Sequence, residues 1–120
     1  MKRRVLVAVD DLFFAAKIRA TAEHLGVELV FPRSLESLCE AARAGAHALV
    51  IVDLHLQRYD PFAVARQLKA DEALRETPLV GFFSHVRVEL QKRASDAGFD
   101  RILPRSAFTK RLPEILQGQL

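Results

Sequence analysis

Apolar residues fall along this chain in two alternating patterns. Short continuous runs are separated by longer stretches in which apolar positions recur every third or fourth residue. Arg4–Val9 is a continuous β-type run. Leu12–Leu25 follows with Phe14, Ile18, Ala22 and Leu25 at helical spacing and Gly26 in the stop position. Val27–Phe31 reads as a second strand closed by Pro32, and Ser34 as the N-cap of a helix over Leu35–Ala44 that Gly45 ends. Ala48–Leu54 is the most apolar run and does not alternate, as expected of a strand covered on both faces. A loop through His55–Asp60 leads to Asp60-Pro61, an N-cap and first-turn pair, and a helix with Phe62, Ala65 and Leu68 on one face. Leu79–Phe83 is a fourth strand, Val88–Ala97 a fourth helix closed by Gly98, and Arg101–Leu103 a short fifth strand. Ser106 is the expected cap of a last helix carrying Phe108, Leu112 and Ile115/Leu116, which Pro113 kinks or delays. Five βα units with short connections predict an α/β fold: a parallel sheet with helices on both faces.

Composition narrows this picture. The chain of 120 residues is 50% hydrophobic and 28% charged, which suits one folded domain over residues 1–120 and excludes a disordered chain. The basic start Lys2-Arg3-Arg4 runs into only five apolar residues before Asp10, too few for a signal segment, and no apolar run approaches the ~20 residues of a membrane span. The expectation is a cytoplasmic protein that makes no membrane contact. The single cysteine, Cys39, falls among Leu35, Leu38 and Ala42 and reads as a buried structural thiol.

The net charge of +3 is unevenly spread. Residues 1–85 carry eleven basic and eleven acidic side chains; the last 35 carry seven basic ones, among them Arg87, Arg101, Arg105 and Lys110, against four acidic. This excess is either a solvated basic face or a docking surface for an acidic partner. With no Arg/Lys run, aromatic platform or recognition-helix motif, the pattern argues against direct nucleic-acid binding.

Ligands of an open parallel sheet bind beyond the C-terminal ends of its strands. Strand one ends at Asp10-Asp11, strand three at Asp53 followed by His55, strand four at Phe83-Ser84-His85 and strand five at Pro104-Arg105-Ser106. Asp10 and Asp11 also precede a helix, where either serves as a cap. Asp53 closes the run Leu49-Val50-Ile51-Val52, so its charge must be paired, coordinated or at the surface. Three carboxylates gathered at one edge raise one another's pKa unless a cation compensates. A hard divalent ion such as Mg²⁺ meets that need, and a carboxylate beside it is a nucleophile toward phosphorus. His55 and His85 add a lesser alternative, a mixed histidine–carboxylate metal site; the simpler reading is exposed loop histidines. In the pairs Phe13-Phe14 and Phe82-Phe83, one member of each is expected in the core and the other facing outward or toward the pocket mouth.

These residues resemble the receiver domain of two-component response regulators. The resemblance rests on Val5–Asp11, Leu49–Leu54, Pro78 before strand four and Ala97-Gly98-Phe99-Asp100 before strand five, in that order and spacing. It implies a flavodoxin-like (βα)₅ fold with sheet order 2-1-3-4-5. It also implies Asp53 as phosphoacceptor, Asp10 and Asp11 as the acidic pair that holds Mg²⁺, and the His55 carbonyl as a further metal ligand. Two positions depart from the family's pattern. Phe83 stands where receivers carry Thr or Ser, with Ser84 one step late unless a bulge near Phe82-Phe83 shifts the frame. Arg105 stands where they carry Lys. The aromatic switch position of strand five is Ile102.

Three functions follow. The first is a phosphorelay receiver that takes a phosphoryl group on Asp53 from a histidine kinase or phosphotransfer protein. It would signal to a downstream protein through the basic face of helix four, strand five and helix five, as a monomer or a homodimer. The second is a pseudo-receiver that works by protein contact without phosphorylation, which Phe83 and Arg105 favour. Arg105 permanently plugging the site as a built-in counterion, or carboxylate oxygens pointing apart, would overturn the phosphorelay reading and leave a scaffold role. The third, a small Mg²⁺-dependent phosphohydrolase, lacks a second wall for substrate.

Overall fold

The strands carry apolar side chains on both faces because each face of the sheet meets a helix layer. The computed structural model describes residues 2–84 and 88–120; His85 and Arg87 lie outside the described residues. The elements are β1 (Arg4–Ala8), α1 (Leu12–Leu25), β2 (Glu28–Val30), α2 (Leu35–Ala44), β3 (Leu49–Asp53), α3 (Pro61–Ala70), β4 (Leu79–Phe83), α4 (Val88–Ala97), β5 (Arg101–Pro104), α5 (Arg105–Lys110) and α6 (Leu112–Leu116). All strand pairs are parallel and the sheet order is β2-β1-β3-β4-β5, the flavodoxin-like arrangement that the sequence resemblance implied. No helix among the described residues is long and apolar enough to cross a membrane.

The two-residue period of the strands sorts the core into two layers. Val5, Val7, Leu49, Ile51, Val80 and Phe82 face α1, α5 and α6, where they meet Phe14, Ile18, Phe108 and Leu112. Leu6, Ala8, Val50, Val52, Leu79 and Phe83 face α2, α3 and α4, against Leu38, Phe62, Leu68 and Ala94. Cys39 is buried in α2, as its apolar neighbours predict.

The expected caps at Asp11, Ser34 and Asp60 are present, each accepting backbone N–H bonds of its own helix. Gly26 closes α1 at φ 70°, a conformation only glycine adopts without strain. The Ala97–Asp100 turn has a physical reason. Gly98 sits at φ 116°, and a Cβ there would lie 2.7 Å from Cγ of Lys69. That approach lets Lys69 Nζ reach the Asp100 carboxylate at 2.9 Å, while the same oxygen accepts the Leu79 N–H at 2.8 Å. The starts of β4 and β5 are thereby tied together.

Two expectations need correction. The final helix is not capped by Ser106. It begins at Arg105, directly after Pro104, without a side-chain cap, and breaks at Arg111 so that Pro113 sits at the start of the separate α6. Proline lacks an N–H and is tolerated in a first turn, so the chain restarts a helix there instead of kinking one. In the second aromatic pair both members are buried, on opposite faces of β4, because that strand is covered on both sides. The first pair divides as expected: Phe14 is buried and Phe13 is 90% exposed.

Phe82 stacks on Phe108 with ring centroids 4.6 Å apart and lies 4.9 Å from Phe14. Phe82→Ala is expected to cost about 3–5 kcal/mol, whereas Phe13→Ala should change stability by no more than about 0.5 kcal/mol. Urea unfolding of the two variants checks this contrast.

Candidate functional site

Parallel pairing puts β1 beside β3, so Asp10, Asp11 and Asp53 arrive at the same edge of the sheet. Asp53 is the last residue of β3, and the strand period turns it toward the α1–α5 side, next to Phe82 of β4. It is 8% exposed and is the one charged residue in the core among the described residues. Its Oδ1 accepts the backbone N–H of His55 at 2.8 Å. Burial pushes its carboxyl above the usual aspartate range, and the nearby Asp10 adds to this. The His55 amide and the charges of His55 and Arg105 pull the other way.

Asp10 leans toward the loop after β3: its Oδ2 accepts the N–H groups of Gln57 at 2.9 Å and Arg58 at 3.2 Å. Asp11 is committed through both oxygens. Oδ1 caps α1 by accepting from Phe13 at 3.0 Å and Phe14 at 3.1 Å, and Oδ2 accepts from the Arg105 guanidinium at 3.1 Å. The Phe14 amide, then Arg105, hold the Asp11 carboxyl below the usual range. Arg105 in turn lies over the ring of Phe14, 4.0 Å from its centroid. The backbone carbonyl of His55 accepts from the Gln57 side chain at 3.3 Å. His55 itself is half-buried, not the exposed loop residue that the sequence suggested.

β4 pairs without interruption from Val80 to Phe83 against β5, so no bulge shifts its frame. Phe83 fills the last, buried position of the strand, and Ser84 is exposed one step beyond it.

No family model matches the chain, and no curated protein matches it by sequence. Solved structures do. The receiver domain of sensor histidine kinase PA1611 from Pseudomonas aeruginosa, with magnesium coordinated in its active-site cleft, superposes with a TM-score of 0.83 at 19% identity, covering 98% of this chain and 96% of that one. Chemotaxis response regulator CheY4 of Vibrio cholerae gives 0.83 at 16% identity over 100% of both chains. The Mn²⁺-bound form of response regulator Rcp1 gives 0.76 at 18% identity, over 97% of this chain and 90% of that one. The chain has the receiver fold.

Within that fold, the residues expected to hold Mg²⁺ are Asp10, Asp11, Asp53 and the His55 carbonyl. Each already accepts a hydrogen bond from the protein. A divalent ion of this size needs carboxylate oxygens converging at octahedral angles. Among the described residues no three acidic, histidine or cysteine side chains converge in that way. As the side chains stand, this donor set does not fit a divalent ion: Asp10 is turned to the amides of Gln57 and Arg58, and Asp11 to the cap of α1 and to Arg105.

Two contributors had no readable signal or were read differently. The amides of Gln57 and Arg58 hold Asp10, and a backbone amide carries no residue signature. Phe14 was legible only as a core position on the apolar stripe of α1. That its ring also supports the Arg105 guanidinium depends on α5 lying beside α1.

A buried, ionised carboxylate burdens the fold, and its raised pKa fixes the sign of the pH effect. The folded form binds the Asp53 proton more tightly than the unfolded chain, so the burden exists above that pKa and is relieved as pH falls through it. Asp53→Asn keeps the acceptor for the His55 amide. It is expected to raise the melting temperature by a few degrees at neutral pH, with the gain shrinking in acid. Thermal unfolding from neutral pH into acid measures it.

Proposed function

We propose that this chain is a phosphorelay receiver whose phosphoacceptor is Asp53, one receiver unit over residues 1–120. The observation that carries the reading is the placement of Asp53: a nearly buried carboxylate closing the central strand at the ligand-binding edge, with one hydrogen bond to its carboxylate among the described residues. A structural acid in such a place would be expected to have its oxygens fully paired.

In the transfer, a carboxylate oxygen of Asp53 attacks the phosphorus of a donor phosphohistidine. The P–O bond forms as the P–N bond breaks, and the departing imidazole takes up a proton. The donor is a histidine kinase or phosphotransfer protein. The phosphorylated state is read by a protein partner on the basic face of α4, β5 and α5, where Arg101 and Lys110 are exposed. The magnesium- and manganese-bound neighbours support a divalent cation for sites of this fold in general. In this chain Arg105 stands at the position of the receiver lysine and supplies positive charge close to Asp53. Ser84 is the nearest hydroxyl in sequence to the end of β4, and Phe83 in the strand cannot replace it as a donor.

A second reading, a pseudo-receiver that acts by contact alone, is favoured by the Arg105–Asp11 pair. One experiment separates the two. The protein is incubated with acetyl phosphate, with and without Mg²⁺, and its intact mass is followed. The expected result is the mass gain of one phosphoryl group, lost in Asp53→Asn. No gain under either condition, in a folded protein, would leave the contact-only reading.

A further inference from the structure

The contact between Arg105 and Asp11 sets a side-chain cation against one of the carboxylates expected to hold the metal. Pro104, with φ −59°, ends β5 opposite Phe83 and starts α5 at once, which fixes where the Arg105 side chain leaves the backbone. Its guanidinium is then held twice. Asp11 Oδ2 accepts from it at 3.1 Å, and the Phe14 ring lies beneath it at 4.0 Å. Neither support is free to yield. Asp11 cannot swing toward Asp53 without releasing the amides of Phe13 and Phe14 that cap α1. Phe14 is packed against Phe82 and Phe108 and is almost wholly buried. A planar guanidinium is suited to such a place, because it stacks on a ring face while donating to a carboxylate, which a lysine ammonium does less well.

We infer that Arg105 is the resident cation of this site and determines its ion selectivity, keeping divalent metal ions out. Mg²⁺ entering between Asp10, Asp11 and Asp53 must displace a guanidinium anchored on two sides and must also approach a like charge. The inference does not rest on the reading of Asp53 as phosphoacceptor; metal exclusion stands on the Arg105 contacts alone.

The test is metal affinity, measured apart from phosphorylation. Mn²⁺ and Mg²⁺ are titrated into the wild-type protein and Arg105→Gln, with binding read by calorimetry and by paramagnetic broadening of the amide resonances of residues 10, 11 and 53. Arg105 is 34% exposed, so the glutamine variant is expected to fold. Removing one positive charge beside three carboxylates should tighten divalent binding by about tenfold or more. Arg105→Lys, which keeps the charge but not the planar stack, should fall between the two. Equal affinity in wild type and Arg105→Gln, whether tight or undetectable, overturns the inference. The phosphoacceptor reading fails separately: if Arg105→Gln gains metal but neither protein gains mass from acetyl phosphate, Arg105 still governs the metal and Asp53 is not the acceptor.

Discussion

Like charge brought to one edge of a sheet is the constraint that organises this molecule. Parallel pairing of β1 with β3 delivers Asp10, Asp11 and Asp53 to the same end, and each must be stabilised there. The chain solves this locally. Asp53 receives a backbone amide from His55, Asp10 receives two from the loop after β3, and Asp11 is shared between the first turn of α1 and Arg105. Backbone amides and one arginine thus supply the partial and full positive charge that these carboxylates meet within the chain.

The site is consequently dependent on packing some distance beneath it. Arg105 rests on Phe14, Phe14 on Phe82 and Phe108, and Phe108 belongs to the helix that Arg105 begins. This closed loop of contacts joins α1, β4 and α5 through aromatic rings, whose faces attract cations and whose edges pack well against one another. On the other side of β4, Phe83 is buried in the core layer formed with α2, α3 and α4. The two neighbouring phenylalanines therefore commit the end of β4 to both layers at once. Apolar volume fills the strand's end, and the hydroxyl of Ser84 follows outside.

Solved receivers at 16–19% identity share the fold with this chain nearly end to end. So low an identity is compatible with so close a backbone because the fold needs a pattern, not particular residues. It needs apolar runs of strand length, a helical stripe after each, and a few turn residues such as Gly98 and Asp100 whose contacts tie strands together. Chemistry is less tolerant. Here Arg105 pairs with Asp11 while the fold stays that of the solved receivers.

Much of this was legible from the residues alone. Strand and helix order, the caps at Asp11, Ser34 and Asp60 and the burial of Cys39 follow from periodicity and from hydrogen-bonding groups close in sequence, which are local physics. Arrival of Asp10, Asp11 and Asp53 at one end of the sheet was legible too, because a parallel βα chain puts all strand C-termini there; that their side chains turn to separate partners instead of converging was not. The break at Arg111 was not, since Pro113 is compatible with a kink or a fresh start, and packing of Leu112, Ile115 and Leu116 selected the latter. Nor could one-dimensional spacing reveal that Asp11 and Arg105, 94 residues apart, would meet over the ring of Phe14. Sequence by itself determined which groups reach the edge. Only the tertiary structure decided which of them pair, because pairing is set by side-chain direction and by helix placement over distances that no local pattern encodes.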